Sequence, residues 1–422
     1  MVSAKLDSLL NLYYARKDVQ EAIYNFCKNR EVVPRYGEGF GKRPDTLEYP
    51  SDILQQVKKG ATSFHCSEEI WTRPLELSTD FQKEQLDSMR EGWDLLIDID
   101  SQYLDYSKIM AKLIIQALEF HSIKNVGIKF SGSKGFHIII PWQAFPERVN
   151  NQDTKKMFPD WARIVSMYIH ELVKPRLLER ISHLNSDKTS KYVTGDEKAG
   201  DSVEKVAPDI VLVSSRHLFR VPYSLHEKTC LASIVIDKNE IENFQPSDAD
   251  PLKVKVREYM PEPREGEARE LLIQALDWYK EKLQKETKTN KTGKVYKEIE
   301  IDRTKIIIPP CIQCISNGLK DGKKRALFIL TNYFNSLNFS RQEIEEKITE
   351  WNAKNNPPLK QGYIDSQLSY AFKHKKIMPP NCDKYYKDIK VCTPDNFCQK
   401  TKNPLNYTLF SQRKFVRDNE QQ

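Results

Sequence analysis

Nothing in the 422-residue chain approaches the ~20 consecutive apolar residues that a membrane-spanning helix needs; the longer apolar runs are of the size of Phe136–Trp142. The opening, MVSAKLDSLLNLYYARKDVQ, is broken by Lys, Asp and Arg and so lacks the apolar stretch of a signal peptide. The Gly-rich segment Ser131–His137 does not have the spacing of a Walker loop or of a dinucleotide fingerprint, and no internal repeat is evident. Charge of one sign is in small excess, with a formal net charge of +7. Because charged residues are 30 % of the chain and mostly solvated surface, that excess permits a polyanionic partner without requiring one. The expectation is a soluble, intracellular, cytoplasmic protein with no membrane partner.

Hydrophobic residues make up 39 % and aromatics 10 %, enough for a sizeable core and against wholesale disorder. The length allows two or three domains. Helical spacing marks the first stretch, where Leu9, Leu10, Tyr13 and Tyr14 are followed by Val19, Ile23 and Phe26. Strands are expected at 93–100 (WDLLIDID), 136–141 (FHIIIP) and 209–213 (DIVLV), with an amphipathic helix over 106–121. Residues 126–130 lead into a Gly-rich turn. Segment 143–208 carries a helical part and then a polar loop with Gly195 and Gly200. After a charged helix at 264–286, a Lys/Thr-rich stretch without apolar periodicity reads as a linker over 291–305.

Two carboxylates stand out. Asp98 and Asp100 close an apolar strand, and residues i and i+2 of a strand share a face. Like charges so close are costly unless a cation offsets them. Mg²⁺ or Mn²⁺ prefers such oxygen ligands and usually binds substrate phosphates as well. Asp-x-Asp is nonetheless common by chance, and Asp248 and Asp250 repeat the spacing between Pro246 and Pro251, where a solvated loop is expected. The first pair differs in its company. Ser131-Gly132-Ser133-Lys134-Gly135-Phe136-His137 follows as a turn whose glycines permit close backbone approach to phosphate oxygens. Asp209 begins another apolar strand, and Arg220, His226 and Lys228 supply donors suited to a triphosphate.

In this order the D-I-D strand, the S-G-x-x-G-x-H turn, and Asp209 followed by H-L-F-R-x-P-Y-S-L-H-x-K-T resemble the catalytic small subunit of archaeal and eukaryotic DNA primases. The likeness is good over 90–235 and looser over 1–89, where Arg30-Glu31 is similar to a family motif near the nucleotide site. It implies two metal ions on Asp98, Asp100 and Asp209. It further implies nucleotide contacts from Ser131, Gly132, Ser133, Lys134, Gly135 and His137, and from Arg220, Ser224, His226 and Lys228. Many family members carry a Cys/His zinc site between these motifs. Segment 143–208 has no cysteine, so that zinc knob is expected to be absent here.

Of the eight cysteines, Cys27, Cys66 and Cys230 stand alone, whereas Cys311, Cys314, Cys382, Cys392 and Cys398 share the last quarter. In a reducing compartment such a group reads as metal ligation by Zn²⁺ or an iron–sulfur cluster. The wide first interval and the C-x9-C-x5-C ending resemble the C-terminal domain of the primase large subunit. That likeness implies a [4Fe–4S] cluster on Cys311, Cys382, Cys392 and Cys398, with Cys314 an extra. Lys323, Lys324 and Arg325 open a helix between the first two of these cysteines, a candidate grip on the template or initiating nucleotide.

The expected architecture is a mixed α/β (α+β) primase-polymerase catalytic domain over 1–290 and a mostly α-helical iron–sulfur domain over 306–422. The expected function is that of an archaeal, nucleoid-associated single-chain DNA primase. It would use single-stranded DNA and nucleoside triphosphates, meet replication proteins, and not require a separate large subunit. A related repair polymerase and a non-catalytic, metal-stabilised nucleic-acid-binding protein are the alternatives.

Overall fold

The structure, a computed structural model, describes all residues except 1, 38, 79, 187–208, 212, 293–305, 374–375, 383 and 421–422. The polar loop with Gly195 and Gly200, and all of the expected linker beyond 292, lie outside the described residues. The chain divides into two units, Met1–Gly293 and Lys294–Gln422. No described helix is long and apolar enough to cross a membrane.

The first unit mixes helices with antiparallel sheets. Leu10, Tyr13 and Tyr14 of α1 (Val2–Tyr14) and Val19, Ile23 and Phe26 of α2 (Lys17–Cys27) are all buried, as their helical spacing requires. One four-stranded sheet draws on β1 (Val32–Tyr36), β2 (Gly39–Phe40) and β3 (Ala61–Ser67). Between β2 and β3 lies α3 (Asp52–Lys58). A separate two-stranded ribbon pairs β4 (Glu69–Trp71) with β5 (Arg90–Trp93), and α4 (Lys83–Met89) lies between them.

The central sheet carries the carboxylates. It is built from β6 (Leu95–Asp100), β7 (Gly127–Phe130), β8 (Phe136–Ile140) and, beyond a short ribbon of β9 (Arg148–Val149) and β10 (Gln152–Asp153), β11 (Asp209–Val211). Its order is β11-β6-β8-β7. Leu95, Leu96, Ile97 and Ile99 of β6 and every residue of β8 are buried, so two apolar strands occupy its middle. The helix α5 (Leu104–Phe120) packs on β6 and β8, and α6 (Asp160–Ser186) packs on α5. The first sheet is completed by β12 (Leu218–Arg220), which pairs with β3 to give the order β12-β3-β1-β2. One hydrophobic core runs through the helices and both sheets.

The strand expected at 93–100 is interrupted at Asp94. That residue is fully buried; its carboxylate accepts from the Trp142 N–H at 2.8 Å and from the Arg30 guanidinium. The charged helix begins later than expected and spans Arg269–Thr292. The second unit is helical throughout its described elements, around the core of the helices Lys323–Ser336 and Arg341–Ala353.

Candidate active site and cysteine cavity

Strand register brings the three aspartates to one face of the central sheet. Asp100 pairs with Asp209, and Asp98 pairs with Val211 on one side and His137 on the other. Residues directly opposite in an antiparallel pair, and residues two apart along a strand, share a face. Asp98, Asp100, Asp209 and His137 therefore stand on the same side. His137 in turn pairs with Lys129 of β7, which extends the row by an amine.

Burial sets the charges along this row. Asp98 is about a quarter exposed (24 %), and its Oδ1 lies 3.3 Å from Nε2 of His137. Burial raises the Asp98 pKa, while Lys129 and His217 pull it back. His137 is held well below its ordinary pKa by burial and by the nearby cations, so its imidazole is neutral. Lys129, fully buried, donates from Nζ to Ser233 Oγ at 2.7 Å, and burial pushes its pKa well below the usual lysine range. Lys129 escaped the sequence reading. The available signal was a lysine in an otherwise apolar strand whose partner residue is His137.

The turn 131–135 joins β7 to β8 as a tight hairpin. The Ser131 N–H donates to the Gly135 carbonyl at 3.0 Å, and the Gly135 N–H returns to Ser131 Oγ at 3.2 Å. Gly132 has φ +99°, and a side chain there would meet His226 Cβ at 2.7 Å. At Gly135 an added Cβ would stand 2.2 Å from the Ile99 carbonyl oxygen, between the two aspartates of β6. The turn thus presses against both the carboxylate strand and the His226 loop.

These elements border a cleft of about 440 Å³. Asp98 and Asp100 line it from one side, with Ser131, Ser133, Lys134, Gly135 and His137. His65, His217, Arg220 and His226 line it from the other sheet and its loops. His226 Nδ1 accepts from the backbone N–H groups of Lys228 and Thr229, both at 3.3 Å, so Nε2 carries the ring proton. Burial and Arg220 lower its pKa and keep it a neutral donor. Arg220 is fastened to Glu227 at 2.7 Å and to the Leu225 carbonyl at 2.7 Å. Neither His65 nor Glu227 was singled out in the sequence. His65 has an unpartnered buried Nδ1, and its pKa is lowered to about 3, mainly by burial.

Three of the expected phosphate contacts, Gly132, Ser224 and Lys228, are not part of that lining. Ser224 is fully buried away from the cleft, where its Oγ accepts from the Phe64 N–H at 2.8 Å and fastens its loop to β3. Lys228 is exposed and does not line the cleft. Arg30 and Glu31 are buried in ion pairs, Arg30 with Asp94 and Glu31 with Arg43 and Arg216, and not in the cleft lining. Of the second Asp-x-Asp, Asp248 lies in a 3₁₀ turn, Pro246–Ala249, and accepts from the Gln245 N–H at 2.7 Å, while Asp250 follows the turn and accepts from the Leu252 N–H at 3.0 Å.

Among the described residues no three His, Cys, Asp or Glu side chains converge tightly enough to hold a single ion. The Asp209 side chain is outside the described set, so the strand register alone places that residue in the row. The donor set itself fits hard divalent cations: two carboxylates of one strand at a polar cleft.

In the second unit Cys311, Cys382, Cys392 and Cys398 line one cavity of about 330 Å³, together with Tyr386, Lys387, Thr393, Pro394 and Gln399. Cys314 is not part of that lining. Burial raises the Cys311 thiol to about 12 and the Cys382 thiol to about 11, and the neighbouring thiols push in the same direction. Four thiols lining one cavity are a donor set that suits either a zinc ion or an iron–sulfur cluster. Lys323, Lys324 and Arg325 do open a helix, behind Gly322 at φ +74°. Each is engaged locally: Lys323 with the Asn356 carbonyl at 3.4 Å, Lys324 over the Tyr363 ring, and Arg325 with Asp388 at 3.2 Å.

No protein-family model matches the chain. It is similar to an uncharacterized protein of Methanocaldococcus jannaschii, 23 % identical over 380 residues, which span 82 % of this chain and 79 % of that protein. Among solved structures, the polymerase domain from Mycobacterium tuberculosis ligase D in complex with DNA aligns with a TM-score of 0.36 and 12 % identity. The alignment covers 64 % of this chain and 88 % of that one.

Proposed function

We propose that the first unit is a template-directed nucleotidyl transferase and that the whole chain is a self-contained DNA primase. The observation that carries the reading is the shared face of Asp98, Asp100 and Asp209, beside a cleft that the 131–135 turn and His226 also border. Two divalent ions held by the aspartates would supply Lewis acidity and offset the charge of a triphosphate.

The protein's own groups do the positioning. The turn offers the Ser133 hydroxyl and the Lys134 ammonium to phosphate oxygens, and His226 offers a neutral N–H. His137 lies against Asp98 and fixes its orientation. The nucleophile is the 3′-hydroxyl of a first nucleotide. Its oxygen gives up its proton to solvent and bonds to the α-phosphorus of the second nucleotide as the α–β anhydride bond breaks and pyrophosphate leaves. Holding two nucleotides at once turns a bimolecular step into a nearly unimolecular one.

Cys311, Cys382, Cys392 and Cys398 are the proposed ligands of a [4Fe–4S] cluster that organises the second unit. The four-thiol cavity favours primase over a gap-filling repair polymerase, which needs no such unit. Substituting Asp98 and Asp100 by Ala tests the assignment: synthesis should disappear while single-stranded DNA binding survives. Undiminished synthesis in that double variant would overturn it.

A further inference from the structure

One group in the cleft is used by neither the aspartate row nor the phosphate-binding turn. His217 lines the cleft with Asp98, and its Nδ1 lies 2.7 Å from Oε1 of Glu68. Glu68 is 1 % exposed, and its second oxygen is buried with no protein partner. With Nδ1–H donated to a carboxylate, Nε2 carries a proton when the imidazole is in its protonated form. About a quarter of the side chain stays exposed (26 %).

The backbone that delivers His217 is strained and heavily braced. Arg216 adopts φ +56°, a region that side chains rarely occupy. Its N–H donates to Glu69 Oε2 at 2.5 Å, and its guanidinium grips both oxygens of Glu31 at 2.7 and 3.1 Å. Arg43 donates to its carbonyl at 2.7 Å. Glu31 and Glu69 are fully buried, so removing their partners would leave isolated buried charges. Such strain persists only where the surroundings over-determine it, and it concentrates at functional sites. Three buried carboxylates are committed to this short segment, and the result is an imidazole facing the cleft.

We propose that His217 donates its Nε2–H to a phosphate oxygen of the bound nucleotide, and that Glu68 is the positioning residue that aims it. This rests on the function proposed above. The charged groups around the imidazole are Glu68 and Asp98, which favour its protonated form, and Arg43, which opposes it. The bond to Glu68 raises the His217 pKa, while burial works against it. Glu68 is itself pushed up to about 7 by burial, which its bond to His217 opposes. The protonated donor is therefore present at low pH and is lost as pH rises through the raised value.

The test is direct binding of Mg²⁺ with a non-hydrolysable ATP analogue, titrated from pH 6 to 9. The full chain is compared with Glu68→Gln and His217→Gln, with melting curves run alongside. At pH 7.5 both variants should bind about tenfold more weakly, the size of one charge-assisted hydrogen bond. Glu68→Gln should recover at pH 6, where imidazole is protonated unaided, and His217→Gln should stay weak throughout. Parent-like affinity in His217→Gln overturns the proposal, as does a loss in a folded Glu68→Gln that lower pH does not restore. Should Glu68→Gln fail to fold, His217→Gln decides alone. Absence of binding by the parent chain would instead overturn the function on which this rests.

Discussion

Replacing Gly135 by Ala adds a methyl group where the 131–135 turn meets the carboxylate strand. The new Cβ would stand 2.2 Å from the Ile99 carbonyl oxygen, closer than any real contact. The obstacle is backbone, one residue from each of Asp98 and Asp100, so no side chain can swing aside. Either the turn lifts or β6 bends, by roughly an ångström. Overpacking of this kind costs about 2 kcal/mol, which in a unit of this size lowers the melting temperature by about 3 °C. Synthesis should suffer far more, because an ångström of misplacement costs about a hundredfold in rate. Circular dichroism melts and steady-state synthesis measure the two effects. Gly362→Ala is the control: that residue lies in the helix Gln361–Lys373 with nothing within 4 Å of an added Cβ. It should be neutral or stabilising by about 0.5–1 kcal/mol. A Gly135→Ala protein that melts and synthesises like the parent would refute the placement of the turn against β6.

Arg30→Ala leaves Asp94, fully buried, without its cation, and strips donors from the Phe26, Ser67 and Glu68 carbonyls. Denaturant titration should show a loss of about 3–5 kcal/mol, and a loss under 1 kcal/mol would contradict the buried pair. Glu227 is held at about 2 although burial opposes it, because Arg220 bonds its carboxylate. A depressed pKa contributes stability that is complete above the ordinary value of 4.5 and is lost as pH falls toward 2, so Glu227→Gln should flatten the acid limb of stability against pH. An unchanged slope there would remove the Arg220–Glu227 pair from the account. Anaerobically purified protein should contain iron and absorb broadly near ~400 nm; Cys311→Ser should lose both and Cys314→Ser neither, whereas zinc without iron would overturn the cluster.

Much of the site was legible because its geometry is local. Asp98 and Asp100 share a face by strand periodicity, and the turn between two apolar strands is where glycines and His137 placed it. Long-range pairing was not legible. The sheet of β1, β3 and β12 joins segments far apart in the chain; its strand β1 contains Pro34, and β3 reads ATSFHCS. Alternation rules treat Ser63, His65 and Ser67 as outward polar residues. Each is buried, because Ser63 donates to Glu227 and Ser67 Oγ accepts from the Glu31 N–H. The partner of Ser224 is hidden in the same way: its hydroxyl accepts from the Phe64 amide of β3, 160 residues away in the chain. Buried charge networks such as Glu31, Glu68 and Glu69 with Arg43, His217, Arg216 and Arg90 have no sequence periodicity at all, since only the folded chain brings their partners together.

The central claim is de novo synthesis by one chain, and the most direct measurement is product formation on unprimed single-stranded DNA. The purified full chain should be given Mg²⁺ or Mn²⁺ and, in turn, ribo- and deoxynucleoside triphosphates. The account predicts short labelled products in at least one pool, with pyrophosphate released and no product from Asp98→Asn. Synthesis only from an annealed primer would contradict the primase reading and favour a repair polymerase. No synthesis on either template would contradict the polymerising centre itself.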